Sequence, residues 1–173
     1  MNKIKSLDEL FLEELKDLYS AENQLISALP KMAQATVSDE LRMTIENHLQ
    51  QTKNHASRLE EVFKELGQKP SQVTCKAMKG LIEEGEEMIR KSDKGPACDA
   101  GIIGSAQRVE HYEIAAYGTA QSHASLLGYN RIGRLLEDTL GEEKEADSKL
   151  NQIAQESVNA QANQKSPRSA GAI

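Results

Sequence analysis

The sequence has little of what sheets, membrane spans and disulfide frameworks need. Tryptophan is absent and aromatic residues make up 3% of the chain, whereas helix formers such as Ala, Leu, Glu and Lys are common. The cysteines Cys75 and Cys98 lack the spacing of a zinc site or a redox pair. No apolar run reaches the length of a membrane span, and the N-terminus lacks the apolar segment of a signal peptide. We therefore expect a soluble, cytoplasmic, all-α protein.

The charge balance is acidic, which limits the kinds of partner that the protein can bind. The chain has 27 Asp and Glu against 21 Lys and Arg, a formal net charge of −6. A negative protein is repelled by phosphate backbones and by anionic membrane surfaces. The charge therefore argues against nucleic acid and membranes as partners. The length of 173 residues suits one domain with its own core.

Apolar residues recur every three or four positions along four stretches, which predicts four long amphipathic helices. The first is expected to begin at Ser6, where Glu9 completes a capping box, and to kink at Pro30. The second begins near Ser38 and stops at Gly67, a residue type that suits the end of a helix.

A long connection separates this pair from the second pair. Residues 69–91 are expected to form a crossover that carries one short helix, weakened by internal glycines. Asp99 is predicted to cap the third helix, Gly128 ends it, and the fourth helix follows. Short turns within each pair and one long crossover predict a four-helix bundle over residues 1–158. The polar tail, residues 159–173, is expected to be disordered.

Carboxylates interrupt the apolar faces of these helices. Glu22, Glu113 and Glu143 each occupy the middle of an apolar stripe. An unpaired carboxylate in a core costs several kcal/mol or takes up a proton. A bound cation or a hydrogen-bonded partner would remove that cost.

Other polar residues lie near these three acids at helical spacing. Facing helices of a bundle hold two metal ions with carboxylates and imidazoles in this pattern. We therefore predict a site for two iron or manganese ions, open to oxygen or peroxide, with Tyr19, Tyr112 and Tyr117 nearby. The candidate metal-ligating residues are Glu22, His48, Gln51, His55, Glu110, Glu113, Glu143 and Asp147.

Each candidate also has a simpler interpretation. Glu110 can be solvated, His48 and His55 can be hydrogen-bonded residues at the edge of the core, and Asp147 can pair with a nearby lysine. Gln51 is a poor metal ligand. The three central glutamates are the hardest to explain without a partner.

The chain also contains an internal repeat with an offset of 91 positions. Glu22 falls on Glu113, and the apolar positions of the first helix pair fall on those of the second. One residue of slip in the second helix of each pair would also align Gln51 with Glu143. The repeat leaves that register open.

Motifs in all four long helices resemble one family. The segments LKDLYSAENQL (15–25), HLQQT (48–52), VEHYEIA (109–115) and EEK (142–144) are similar to those of the YciF-type bacterial stress proteins, within the ferritin-like superfamily. The resemblance implies a ferritin-like bundle, a cytoplasmic stress-linked protein, a homodimer and a dimetal site. The family usually has Glu at the position of Gln51. The loss of that anionic ligand would weaken or abolish one of the two metal sites, or shift ligation to His48 or His55.

Two functions therefore stay open. The first is a metal-binding protein that handles oxygen or peroxide under stress. The alternative is a metal-free structural or interaction protein that works as a homodimeric helical bundle, with its buried acids protonated or hydrogen-bonded to Tyr and His.

Overall fold

A computed structural model describes residues 3–70 and 73–164, and within these ranges the regular structure is entirely helical. Five helices form the fold, and a π-helical segment (Ala154–Val158) and a short helix (α6, Asn159–Ala162) extend the last of them. The five are α1 (Leu7–Ala35), α2 (Asp39–Glu65), α3 (Lys76–Lys91), α4 (Pro96–Leu126) and α5 (Asn130–Ile153).

Local signals in the sequence set most of the helix ends. The Ser6 hydroxyl accepts a hydrogen bond from the backbone amide of Glu9, and the Glu9 carboxylate reaches back to the amide of Lys5. Gly67 and Gly128 follow α2 and α4 with φ of 64° and 79°, a left-handed conformation that glycine adopts without steric cost. The four long helices and the crossover helix are confirmed, and α1 continues through Pro30 to Ala35.

Two apolar clusters fill the bundle, one toward each end. The first contains Leu15, Leu59, Ala120 and Leu136, and the second contains Leu25, Ile45, Ala106 and Leu150. Each of α1, α2, α4 and α5 supplies residues to both clusters, so each helix passes through the level between them. The order of the clusters along each helix makes α1 antiparallel to α2 and α4 antiparallel to α5.

The crossover carries the chain from the end of α2 at the first cluster to the start of α4 at the second. Its helix, α3, packs against α1 and α4. Met78 of α3 is fully buried in the chain's own core. The apolar face of α3 therefore packs inside the chain at this position.

Asp99 does not cap α4 as the sequence predicted. The helix begins earlier, at Pro96, because proline is well suited to the first helical position. The Asp99 carboxylate is buried and accepts hydrogen bonds from the backbone amides of Val37 and Ser38 at 3.0 and 2.8 Å. It therefore ties the α1–α2 turn to α4.

The helical part of the chain extends a few residues past the predicted end of the bundle. Val158 is buried in the second cluster, and the helix continues through Ala162, past the predicted boundary of the bundle. The rest of the predicted disordered tail, residues 165–173, lies outside the described residues.

Candidate metal centre

Six polar side chains from four helices meet between the two apolar clusters. Their ligand atoms form two groups, and within each group these atoms lie within 4.8 Å of one another. One group is His48, Glu110, Glu113 and Glu143, and the other is Glu22, His55 and Glu143. We call these six residues the buried cluster. Glu143 belongs to both groups.

Helical spacing brings these side chains to one level. On the buried face of α1, Glu22 lies between Leu18 and Leu25, and these two leucines pack in different apolar clusters. His48 and His55 lie two turns apart on the same face of α2. The same spacing that builds the core therefore directs the polar residues into it.

The histidines lie between the carboxylates. Nε2 of His48 is 3.4 Å from Glu110 Oε1 and 3.8 Å from Glu143 Oε2. Nδ1 of His55 is 2.9 Å from Glu143 Oε1 and 3.6 Å from Glu22 Oε1. One imidazole nitrogen from each histidine thus points at the shared Glu143 carboxylate.

Most of the atoms that face inward have no hydrogen bond. Eight buried side-chain atoms find no hydrogen-bond partner among the described residues, although His55 Nδ1 and Glu143 Oε1 are close. Both carboxylate oxygens of Glu113 and of Glu143 are among them. Buried polar groups are nearly always satisfied in native proteins, so these atoms need either protons shared between neighbouring groups or a bound cation.

Burial shifts the protonation of the cluster. It raises the pKa of Glu22 to about 7, and it raises the pKa values of Glu110 and Glu113 well above the ordinary range, reinforced by the neighbouring carboxylates. Burial alone would lower the pKa of His55, but the close contacts of its ring with the carboxylates of Glu143 and Glu22 outweigh burial and raise that pKa to about 10. Without another cation, Glu110 and Glu113 hold protons at neutral pH and His55 carries a positive charge.

The chemistry of these donors fits divalent metal ions. Carboxylate oxygen and imidazole nitrogen are the ligands used for iron and manganese in bundle cores. The four carboxylates would carry four negative charges when ionised, which two divalent cations would balance. The unpaired inward atoms supply the lone pairs that such ions need.

Comparisons with known proteins place this chain in a family. The family described as "Domain of unknown function (DUF892)" matches residues 6–163. The chain belongs to the DUF892 family. It is 42% identical over 163 residues to Protein YciF of Escherichia coli K12, with 94% of this chain and 98% of that protein covered.

Solved structures of DUF892 relatives share the fold. The crystal structure of the E. coli stress protein YciF matches with a TM-score of 0.86 and 40% identity, covering 94% of this chain and 100% of that one. A Rhodopseudomonas palustris protein described as YcfI, a putative structural protein, matches with a TM-score of 0.85 and 45% identity, covering 88% and 98%.

A more distant match identifies the fold class. Ferritin-like diiron-carboxylate proteins from Bacillus anthracis match with a TM-score of 0.68 and 17% identity, covering 87% of this chain and 99% of that one. The fold of this DUF892 chain is therefore ferritin-like, as predicted. No helix in the described part of the chain is long and apolar enough to cross a membrane.

In this DUF892 chain, Arg58 and Glu142 hold His55 from outside the buried cluster. Nε2 of His55 is 2.6 Å from Glu142 Oε2, and Arg58 donates two hydrogen bonds to the same carboxylate at 2.9 and 2.7 Å. Arg58 also donates to the Thr139 hydroxyl. This arrangement directs Nδ1 of His55 inward, as a carboxylate does behind a metal-bound histidine.

Sequence reasoning did not assign this role to Arg58 or Glu142. The available signal was that Arg58 follows His55 by nearly one helical turn and that Glu142 adjoins Glu143. Of the three tyrosines predicted to lie near the site, Tyr117 contacts the buried cluster, and its hydroxyl donates a hydrogen bond to Glu22 Oε1. Tyr19 donates to Glu60 and Tyr112 to Asp17 instead.

Gln51 and Asp147 lie outside both groups of the buried cluster. Gln51 is half-buried, with Oε1 3.4 Å from Nδ1 of His48. Asp147 accepts a hydrogen bond from Gln107 at 3.2 Å and lies 3.5 Å from Nε2 of His111. The other six predicted ligands are the ones that the fold brings together.

Proposed function

We propose that the buried cluster binds two divalent iron or manganese ions and that the protein handles oxygen or peroxide in a bacterial stress response. The observation that carries the proposal is the convergence of four carboxylates and two imidazoles in one buried place, with both oxygens of Glu113 unpaired. The described stress role of the E. coli relative supports the second part.

Each residue has a defined part in this proposal. His48, Glu110 and Glu113 would hold one ion, Glu22 and His55 the other, and Glu143 would bridge the two. Bound iron or manganese would supply redox chemistry toward oxygen or peroxide. The protein supplies buried surroundings between two apolar clusters, and the exclusion of water strengthens electrostatic interactions there.

Arg58 and Glu142 would maintain the second half of the site. The bidentate Arg58 contact lowers the pKa of Glu142, so this carboxylate stays ionised and accepts the Nε2 proton of His55. The lone pair on Nδ1 is then available to a cation. The Tyr117 hydroxyl orients Glu22 in the same way.

Metal analysis of the purified protein tests the proposal. After anaerobic loading with iron or manganese, we expect about two ions per chain, and fewer in Glu113→Ala. The absence of bound transition metal in the loaded wild-type protein would reject the proposal. If metal is bound, peroxide consumption by the loaded protein distinguishes an enzyme from a protein that sequesters metal.

The metal-free alternative also has support. Tyr117 and His55 already pair with part of the Glu22 and Glu143 carboxylates, and Gln51 replaces an acid that the family usually has. Under this alternative, replacing Glu22 and Glu113 together by Gln preserves or raises stability and changes no metal content. Both Glu113 oxygens would then stay unpaired, which favours the metal-binding proposal.

We also propose that the protein is a cytoplasmic homodimer. Cys75 and Cys98 are free and buried, which supports a reducing compartment. Multi-angle light scattering tests the dimer, because one chain has a mass of 19.1 kDa. A mass of one chain at micromolar concentration would contradict it.

A further inference from the structure

A cavity on the surface between α2 and α5 adjoins the buried cluster. Its volume is about 230 Å³, and His48 forms part of its wall. The wall of the cavity also includes Asn47, Gln51, Glu145, Ala146 and Lys149. Two larger cavities, beside Gln24 and beside Tyr112, are lined by none of the six residues of the buried cluster.

His48 connects this cavity with the interior. Its side chain is 8% exposed, compared with 3% for Glu110, which it faces. Nδ1 lies toward Gln51 at a long 3.4 Å, whereas Nε2 lies toward the carboxylates of Glu110 and Glu143. A single imidazole ring therefore separates the cavity from the inward-facing oxygens.

The lining of the cavity suits a hydrated cation. Asn47 and Gln51 offer neutral amide groups, and the exposed Glu145 adds a carboxylate. The charge of Lys149 is partly neutralised by an ion pair with Glu40 at 2.9 Å. The cavity volume of about 230 Å³ is many times the roughly 10–15 Å³ that one water needs, so a hydrated ion has room at this surface.

The geometry points to this cavity as the port through which a hydrated divalent cation reaches the buried cluster. The cation loses water against the amide groups and passes the ring of His48 when the long contact with Gln51 opens. The inference rests on the proposed metal site. It adds a route, and it assigns the exposed Glu145 a role in attracting the ion.

Charge reversal at the mouth tests the port. Co²⁺ binding to the metal-free full chain is followed by its visible absorption in a stopped-flow instrument. Glu145→Lys is compared with Glu137→Lys, a matched control on the same helix that is also exposed but outside the cavity. At low ionic strength we expect Glu145→Lys to bind about tenfold more slowly than the control, with the same final absorbance and a smaller difference in high salt.

Filling the cavity gives an independent test. Ala146→Phe should slow Co²⁺ binding, because the larger side chain occupies the port. Its matched control is Ala116→Phe, which lines the separate cavity beside Tyr112 and should bind at the wild-type rate. Equal rates within either pair of variants, with Co²⁺ bound, would overturn the port alone. If the wild-type chain takes up no Co²⁺, the metal site is refuted and the port with it.

Discussion

Glu113→Gln should stabilise the metal-free protein at neutral pH. Glu113 is fully buried, neither carboxylate oxygen has a partner, and burial raises its pKa well above 4.5. The folded chain therefore keeps a proton on this group where the unfolded chain has lost it. Glutamine has the same shape and needs no proton.

The magnitude follows from the linkage between proton binding and folding. Holding one proton at pH 7 on a group that ionises near 4.5 when unfolded costs at most about 3.4 kcal/mol, at 1.36 kcal/mol per pH unit. For a chain of this size, that is a rise in Tm of about 7–14 °C. This is a ceiling, because Glu110 and Glu113 interact and share the effect.

The sign of the pH dependence is also determined. Between the unfolded and the folded pKa values, the unfolded chain binds fewer protons, so the stability of the wild-type protein falls as pH rises. The advantage of Glu113→Gln should be near zero at about pH 4.5. It should then grow toward neutral pH and level off above the folded pKa.

Urea unfolding of chelator-treated protein at several pH values measures this difference. Glu137→Gln is the control, because Glu137 is exposed on α5 and should change stability by less than about 0.5 kcal/mol. Adding Mn²⁺ should favour the wild-type protein, by about 2.7 kcal/mol at one hundred times Kd, and should favour the variant less. A variant that is less stable without metal, or an advantage that does not vary with pH, would refute the reasoning.

Three further predictions concern the metal centre. Arg58→Met should weaken metal affinity about 10–100-fold by releasing Glu142, and an unchanged Kd in a titration would contradict the role of the pair. Glu143→Gln should lower the occupancy of both metal ions, whereas Asp147→Asn should leave the metal content unchanged. Elemental analysis of the loaded variants measures this, and equal metal content in the two would contradict the prediction. Mn²⁺ binding at pH 7 should release protons, because ligands must be deprotonated to bind metal. Calorimetry in buffers of different ionisation enthalpy should show this release, and identical heats would argue against it.

The local features of the sequence were sufficient for most of the fold. The Ser6 and Ser38 caps, the glycines after α2 and α4, and the spacing of apolar residues act within a few turns of one helix. The carboxylates on the apolar faces stood out for the same reason. A stripe of period 3.6 predicts the buried face of a helix without its partners.

Local patterns did not predict the contacts of several residues. Asp99 has a side chain that suits a cap, and only the packed fold shows that its carboxylate serves the amides of the α1–α2 turn instead. Arg58 and Glu142 likewise read as ordinary helix-surface charges. Their pairing joins residues 84 positions apart, which no local pattern can indicate.

The sequence alone determined the helices, the acidic interruptions of their apolar faces and the single crossover, since these depend on local spacing and turn chemistry. The tertiary structure decided the register between the helices. His48 and Thr52 are buried on α2, and Thr139 and Glu143, 91 positions later, are buried on α5. The burial pattern therefore matches the repeat without the additional slip. Gln51 and Asp147 lie on the flank of this buried face. Register depends on how side chains of different helices interlock, so the membership of the buried cluster could be established only from the packed bundle.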